Sequence, residues 1–408
     1  MNAKPLGPIP PGFATLDGEL AIGGLTASAL ASGGTPCFAY SRSMIEARMA
    51  ALRAVMPERI SIHYAIKANS FSPILELMSQ LCDGLDIASG AELAMALAAG
   101  AQAARISFAG PGKTDAELEA AISAGVTLNL ESEGEAERAL ACAERLGARP
   151  RLAIRVNPDF DLRGSGMKMG GGARPFGVDA ERVPALARRI IAAGCEWRGL
   201  HIFAGSQALD AEAVIAAQGA TLDLAARLAE EIGAPLPALN LGGGFGIPYF
   251  AGDIPLDIGR VGEALAGRCA ALPPALAGAE LAIELGRYLV GEAGVYLTRI
   301  VDRKESRGET FLVTDGGLHH QLAASGNFGT VVRRNYPLAI ATRFDAEATE
   351  VANVVGCLCT PLDRLAERAA LPRAEVGDLV AVFCAGAYGA SASPADFLGH
   401  GRAREMLV

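Results

Sequence analysis

Ser61-Ile62-His63-Tyr64-Ala65-Ile66-Lys67-Ala68-Asn69 is the stretch on which the fold turns. Its first part is a short, mostly apolar run of the kind that forms a strand buried in a parallel sheet. The run ends on a lysine and a polar turn. A cation at the tip of a buried strand is costly unless it is paired or put to chemical use. Outward from it the same unit recurs. Apolar runs at 60–66, 84–88, 104–109, 126–131, 151–157, 198–203, 237–241 and 281–285 make eight candidate strands. Helix-like stretches at 89–99, 115–124, 133–146, 180–193, 211–232 and 257–271 lie between them, and Gly100 and Gly125 look like helix C-caps. Eight β/α units in roughly 250 residues match a closed (β/α)8 TIM barrel. A doubly wound open sheet usually has fewer strands, and a nucleotide-binding one carries a glycine fingerprint at its first turn.

After about residue 285 the pattern changes. Stretches 290–305, 310–315, 350–355 and 379–384 read as strands separated by turn-rich pieces. The expected class is therefore α/β, with a barrel over 38–284 and a C-terminal antiparallel β-domain over 285–408. Residues 1–37, rich in Pro and Gly, would complete that second domain at its edge. The coil 161–177 holds six glycines and reads as a mobile loop over the site.

A chain of 408 residues with 51% hydrophobic content can bury two cores. No apolar run approaches the ~20 residues of a membrane span, and Met1 to Phe13 lack the layout of a signal peptide. No membrane association and a cytoplasmic location are expected. The net charge of −9, without a basic stripe, argues against nucleic-acid binding. Eight cysteines scattered through apolar segments read as thiols rather than disulfides. With five histidines and no ligand-spaced cluster, no metal is expected.

Barrels place function at the C-terminal ends of their strands, and the polar residues gather there. Lys67 follows the first strand, and Asp86 lies in the second. Arg155 and Asn157 close the fifth. His201 and Phe203 close the sixth, before Gly205-Ser206-Gln207. Gly242-Gly243-Gly244-Phe245-Gly246 follows the seventh, and Glu284 and Arg287 close the eighth. Each has a plainer reading: a strand-end lysine is usually structural, a glycine run is usually a turn, and Asp86 or Arg155 alone would be half of an ion pair. Their joint placement favours chemistry. An amine, carboxylates, a guanidinium, an aromatic face and a phosphate-sized loop are what holds pyridoxal phosphate as an imine on Lys67.

These residues resemble the fold type III (alanine-racemase-like) pyridoxal-phosphate decarboxylases, the diaminopimelate and ornithine decarboxylase family, from about Thr35 to Ala392. The likeness is carried by Tyr64-Ala65-Ile66-Lys67-Ala68-Asn69, Gly199-Leu200-His201-Ile202-Phe203-Ala204-Gly205-Ser206-Gln207, Leu241-Gly242-Gly243-Gly244-Phe245-Gly246 and Glu284-Leu285-Gly286-Arg287. Gly356-Cys357-Leu358-Cys359-Thr360-Pro361-Leu362-Asp363 and Gly386-Ala387-Tyr388-Gly389 extend it. The resemblance implies that Lys67 bonds the cofactor and Glu284 pairs with its pyridine nitrogen. Ser206, Gly243, Gly244, Arg287 and Tyr388 would hold the phosphate, while Asp86, Glu92 and Arg155 support Lys67 and the cofactor. Cys359 would protonate the carbanion from the neighbouring subunit of a homodimer with shared active sites. Asp315, Thr360 and Asp363 would face the substrate, an amino acid or an aminoacyl group on an acyl-carrier protein.

Three departures shape that expectation. Phe203 stands where well-known members stack a histidine on the cofactor; a phenyl face still stacks but does not titrate. Thr360 replaces an acidic residue that serves a distal amine, and Tyr288 replaces a small hydroxyl residue; both argue against diaminopimelate. The version Cys359 to Asp363, with Asp315-Gly316-Gly317-Leu318-His319-His320 and Ser325-Gly326-Asn327-Phe328-Gly329, is most similar to a subgroup of exosortase-associated and carrier-protein glutamyl decarboxylases. Cys357, two residues from Cys359, would share its face in an extended segment. His201 reads as structural and Cys384 as core. An amino-acid racemase and a non-catalytic decarboxylase-like regulator remain as alternatives. Glu284 and Cys359 oppose the first, and the intact Lys67, glycine loop, Arg287 and Tyr388 oppose the second.

Overall fold

A computed structural model describes residues 2–162, 164, 166–326 and 333–408, with the side chains of Met167 and Lys168 left aside. The chain forms two compact units: Met49–Gly246 with Pro255–Gly286, and Met1–Arg48 with Ile247–Ile254 and Arg287–Val408.

The first unit is the barrel. Its strands, in order, are Ile60–Ala65, Gly84–Ile87, Ile106–Phe108, Thr127–Leu130, Arg151–Asn157, Glu196–Ile202, Ala238–Gly243 and Glu280–Leu285. Each pairs in parallel with the next, and the eighth pairs with the first, so the ring is closed. Strands such as Gly84–Ile87 are buried throughout, which explains the apolar runs seen in the sequence. The connecting helices start where short polar side chains cap them. Thr114 and Glu117 make a reciprocal capping box before Asp115–Ala124, and Gly125 ends that helix at φ 78°.

Between the third strand and the fifth lies a buried ion pair. Lys113 Nζ donates to Glu135 Oε1 at 2.6 Å and to the carbonyls of Gly110 (2.6 Å) and Asn129 (3.0 Å). Every lysine proton is thereby used, which offsets the desolvation of both charges. The coil 161–177 is not structureless. Met167–Lys168 pair antiparallel with Gly205–Ser206, because the segment after the sixth strand offers free backbone groups beside it.

The second unit centres on the long strand Gly294–Ser306, which pairs with Cys37–Tyr40, Glu309–Thr314 and Leu379–Val382. Cys37–Tyr40 thus belongs with this sheet. Pairing is mostly antiparallel, but Glu309–Thr314 runs parallel to Glu350–Val355 and Arg404–Leu407 parallel to Cys37–Tyr40, which makes the sheet mixed. Arg364–Leu371, an Ala/Arg/Glu run of helical composition, forms a strand against Glu350–Val355. Pairing and burial override its propensity. Leu20, Ile22, Leu30, Val295, Leu379 and Phe383 lie in one apolar core of this unit. No helix among the described residues is long and apolar enough to cross a membrane.

Replacing Lys113 by methionine leaves Glu135 charged and buried without its partner. Urea unfolding of Lys113→Met is expected to lose about 3–5 kcal/mol. The double variant with Glu135→Leu should recover much of that loss.

Candidate active site

The first strand delivers Lys67. Ile60, Ile62 and Tyr64 are buried to 0% exposure, and the Tyr64 hydroxyl donates to the Asn69 carbonyl at 2.8 Å, closing the turn. Within that turn Ile66 and Ala68 are buried while Lys67 is exposed. The backbone is anchored on either side of a lysine that reaches out. Its Nζ lies 5.8 Å from the centre of the Phe203 ring, within cation–π range. Phe203 is only half-buried, an aromatic face left at the barrel mouth beyond the sixth strand.

Beside Phe203 runs the glycine loop. A side chain at Gly242 would come within 3.1 Å of the phenyl ring, one at Gly243 within 1.8 Å of the Glu284 carbonyl oxygen, and one at Gly244 within 2.1 Å of the Gly205 carbonyl oxygen. Gly244 also has φ +84°. Only glycine permits this approach of three backbone segments. The adjoining Ser206 Oγ is buried without a hydrogen-bond partner among the described residues.

Inside the mouth, three acids sit against three bases. Glu284 Oε2 lies 2.9 Å from His201 Nε2 and accepts a hydrogen bond from Asn240 Nδ2 at 3.3 Å. Asn240 Oδ1 in turn accepts from the Gly242 amide at 2.9 Å, tying the acid to the glycine loop. Burial opposes ionisation of Glu284, but His201, Lys67 and Arg155 outweigh it and hold the carboxyl well below the usual carboxylate range. Arg155 donates to Glu131 Oε1 at 2.9 Å, and its guanidinium lies 5.1 Å from the Phe176 ring centre. Glu131 also accepts from the Gly110 and Gly177 amides. Asp86 Oδ2 lies 3.5 Å from His63 Nδ1. Burial pushes the His63 imidazole down, yet Asp86, Glu284 and Asp83 together hold it above its ordinary value. Glu92 accepts from the Ala88 amide at 2.6 Å at a helix N-terminus, and burial pushes its carboxyl up against the pull of that bond and of Lys67.

Sequence reading did not pick out His63, Glu131 or Asn240, and it treated His201 as structural. Glu131, an acid immediately after the fourth strand, had a positional signal; Asn240 and His63 lie within strands and had none. A polar cavity of about 560 Å³ at the opposite mouth is lined by Ser61, Ser107, Thr127 and Arg151. It has neither a lysine nor a glycine loop, and function in such barrels sits at the other end.

In the β-domain unit, Arg287 Nη1 donates to the Tyr249 hydroxyl at 2.7 Å, and its guanidinium lies 4.7 Å from the Tyr388 ring centre. Burial pushes the Tyr249 phenol up to about 12. Tyr288 is buried, with the Arg48 guanidinium 4.8 Å from its ring centre. Asp315 accepts from Thr298 Oγ1 (2.7 Å), the Arg299 amide (2.9 Å) and Thr35 Oγ1 (2.5 Å). Asp363, 3% exposed, accepts from the Leu318 (2.7 Å) and Leu358 (2.9 Å) amides. Both acids, expected to face substrate, are spent on holding loops together. Thr360 is half-buried, and its hydroxyl accepts from the Leu362 amide at 3.3 Å.

The segment 356–363 is a turn, not an extended run, so its two thiols part. Cys359 is exposed; Cys357 is half-buried, with Sγ 3.6 Å from the Asp315 carbonyl oxygen. Cys384 is buried. The Ser325–Gly329 motif is described only to Gly326; Asn327, Phe328 and Gly329 lie outside the described residues. His319, Cys357 and His400 come together although no sequence spacing announced them.

Ser206 Oγ lacks a partner among the described residues, and the bare backbone of Gly243 and Gly244 beside it suits a compact anion of phosphate size. Next to an exposed lysine amine and an aromatic face, that fits pyridoxal phosphate and defines a barrel enzyme of fold type III. The chain belongs to the pyridoxal-dependent decarboxylase family, whose pyridoxal binding domain matches residues 42–291. It is 38% identical to the L-glutamyl-[BtrI acyl-carrier protein] decarboxylase of Niallia circulans, across 91% of this chain and 88% of that one. It is 32% identical to the diaminopimelate decarboxylase of Archaeoglobus fulgidus, across 97% and 93%. The crystal structure of diaminopimelate decarboxylase from M. jannaschii superposes with a TM-score of 0.86 at 27% identity, across 97% and 92%. The chain is thus a carboxy-lyase with pyridoxal phosphate as cofactor.

The raised His63 value carries a sign. A base favoured in its charged form by the fold contributes stability that is full below its unfolded pKa, about 6.5, and is lost as pH rises through the folded value. The stability advantage of wild type over His63→Gln should therefore be larger near about pH 5.5 than near about pH 8.5 in urea unfolding. An advantage that grows with pH would show that Asp86 does not hold the charge.

Proposed function

We propose that this chain is a cytoplasmic, homodimeric decarboxylase of an aminoacyl group carried on an acyl-carrier protein, glutamyl first among them. The observation that carries the decarboxylase chemistry is Glu284, ionised although 6% exposed, at the mouth that holds Lys67. Pyridoxal phosphate, when bound, supplies a protonated ring that accepts the electron pair released as CO₂ leaves. An ionised acid is what keeps such a proton on a ring nitrogen; a guanidinium in its place would weaken the sink. His201 and Asn240 hold Glu284 in orientation. Lys67 is the point of covalent attachment, Phe203 the stacking face, and Ser206 with Gly243 and Gly244 the phosphate cradle. Arg155, hydrogen-bonded to Glu131, and Asp86, 3.5 Å from His63, brace the mouth. The family resemblance assigns Arg287 and Tyr388, whose guanidinium and ring centre lie 4.7 Å apart, to the phosphate as well. Cys359, exposed on its turn, gives the thiol proton to the carbanion carbon in a neighbouring copy.

The substrate class follows from which acids are occupied. A distal ammonium needs a free carboxylate, and Asp315 and Asp363 are consumed by internal hydrogen bonds while position 360 is threonine. A substrate without a distal ammonium fits, as does the identity of 38% to the carrier-protein glutamyl enzyme against 32% to a diaminopimelate enzyme. Eight free cysteines accord with a reducing compartment.

The test is CO₂ release from a panel of free diaminopimelate, ornithine, arginine and glutamate and of carrier-tethered glutamate. The tethered substrate should exceed every free one by at least tenfold in kcat/KM, about 1.4 kcal/mol. Preference for diaminopimelate would overturn the substrate assignment. Lys67→Ala should abolish turnover and the borohydride-trapped mass at residue 67.

Shared sites have their own signature. Lys67→Ala and Cys359→Ala proteins, each nearly inactive, should regain roughly a quarter of wild-type activity after subunits are mixed, since half the dimers then carry one intact site. No recovery, with subunit exchange verified, would place both residues in one copy.

A further inference from the structure

The β-domain unit contains a second cluster with no part in the chemistry above. We propose that His319, Cys357 and His400 form a zinc-binding site with three protein ligands and an open fourth position. The three donor atoms lie within 4.8 Å of one another. Cys357 Sγ is 3.8 Å from His400 Nε2, and the rings of His319 and His400 are 4.8 Å apart at their centres. Around tetrahedral zinc, with Zn–S about 2.3 Å and Zn–N about 2.0–2.1 Å, sulfur and nitrogen ligands stand about 3.5 Å apart. The observed separations need only a small inward movement of His400, which is exposed at the end of a turn.

His319 points to a ligand on independent grounds. It is 0% exposed, and neither of its ring nitrogens has a hydrogen-bond partner among the described residues. A buried imidazole with both nitrogens idle is an unexplained cost. Its neighbour His320 is differently placed: its Nε2 lies 2.9 Å from the Gly401 carbonyl oxygen and its Nδ1 3.2 Å from the Tyr296 hydroxyl. Two imidazoles and one thiolate are a borderline-soft donor set, which suits zinc and not magnesium or calcium. Occupancy would clamp the turn around His400 to the turn 356–363, and binding would release the Cys357 thiol proton to solvent.

The experiment uses the tag-free holoenzyme, loaded with zinc chloride, desalted and assayed for bound metal, with a parallel titration by cobalt chloride. The expected result is one zinc per chain and a thiolate-to-cobalt charge-transfer band. Cys357→Ser should abolish the band, and Cys357→Ser and His400→Gln should each weaken zinc binding at least tenfold, with circular dichroism unchanged. Cys359→Ser should keep both band and stoichiometry, which separates this site from the proposed proton donor. No retained zinc in the wild-type protein, or equal binding by Cys357→Ser and His400→Gln, overturns the proposal.

Discussion

Closing eight parallel strands into a ring forces their carboxyl ends onto one mouth, and residues far apart in sequence become neighbours there. Lys67, Phe203, Gly242 and Glu284 come from the first, sixth, seventh and eighth strands or just beyond. Closure is also what allows the glycine loop, because Gly243 and Gly244 exist to let the seventh strand pass against the carbonyls of Glu284 and Gly205. Any larger residue would separate strands that the ring holds together.

Within the mouth, the recurring theme is a buried acid with an assigned base: Asp86 with His63, Glu131 with Arg155, Glu284 with His201. Each isolated charge would be prohibitive in a low-dielectric interior. Paired, they make a rigid polar layer under a lysine that is itself left exposed. That division of labour suits a covalent cofactor: the framework pairs its charges from within, and Lys67, exposed at its rim, adds a positive charge that helps hold Glu284 ionised.

The β-domain unit spends its acids differently. Asp315 and Asp363 bind backbone amides and hydroxyls, so the loops after Thr314 and Val355 are knit to each other. The same knitting sets Cys357 inward beside His319 and His400, while Cys359 points outward on the next part of the turn. A two-residue spacing would have kept the thiols together on a strand; the turn separates their tasks.

The eight strands, most helix boundaries and the lysine, glycine and Glu284 motifs were legible because burial patterns and capping residues are local properties of the chain. So was the family. Arg364–Leu371 was not, because its composition favours helix and only the neighbouring strand makes it extended. The mixed pairing of the second sheet was equally hidden, since alternation marks a strand but not its direction. His63, Glu131, Asn240 and the supporting task of His201 escaped notice, as did the gathering of positions 319, 357 and 400. Sequence alone thus determined which segments fold and which reactive groups they end on, since propensity and periodicity act over a few residues. Which acid faces which base, and which carboxylates are already occupied, was decided only by the tertiary structure, because ion pairing depends on distances across strands that no local pattern encodes.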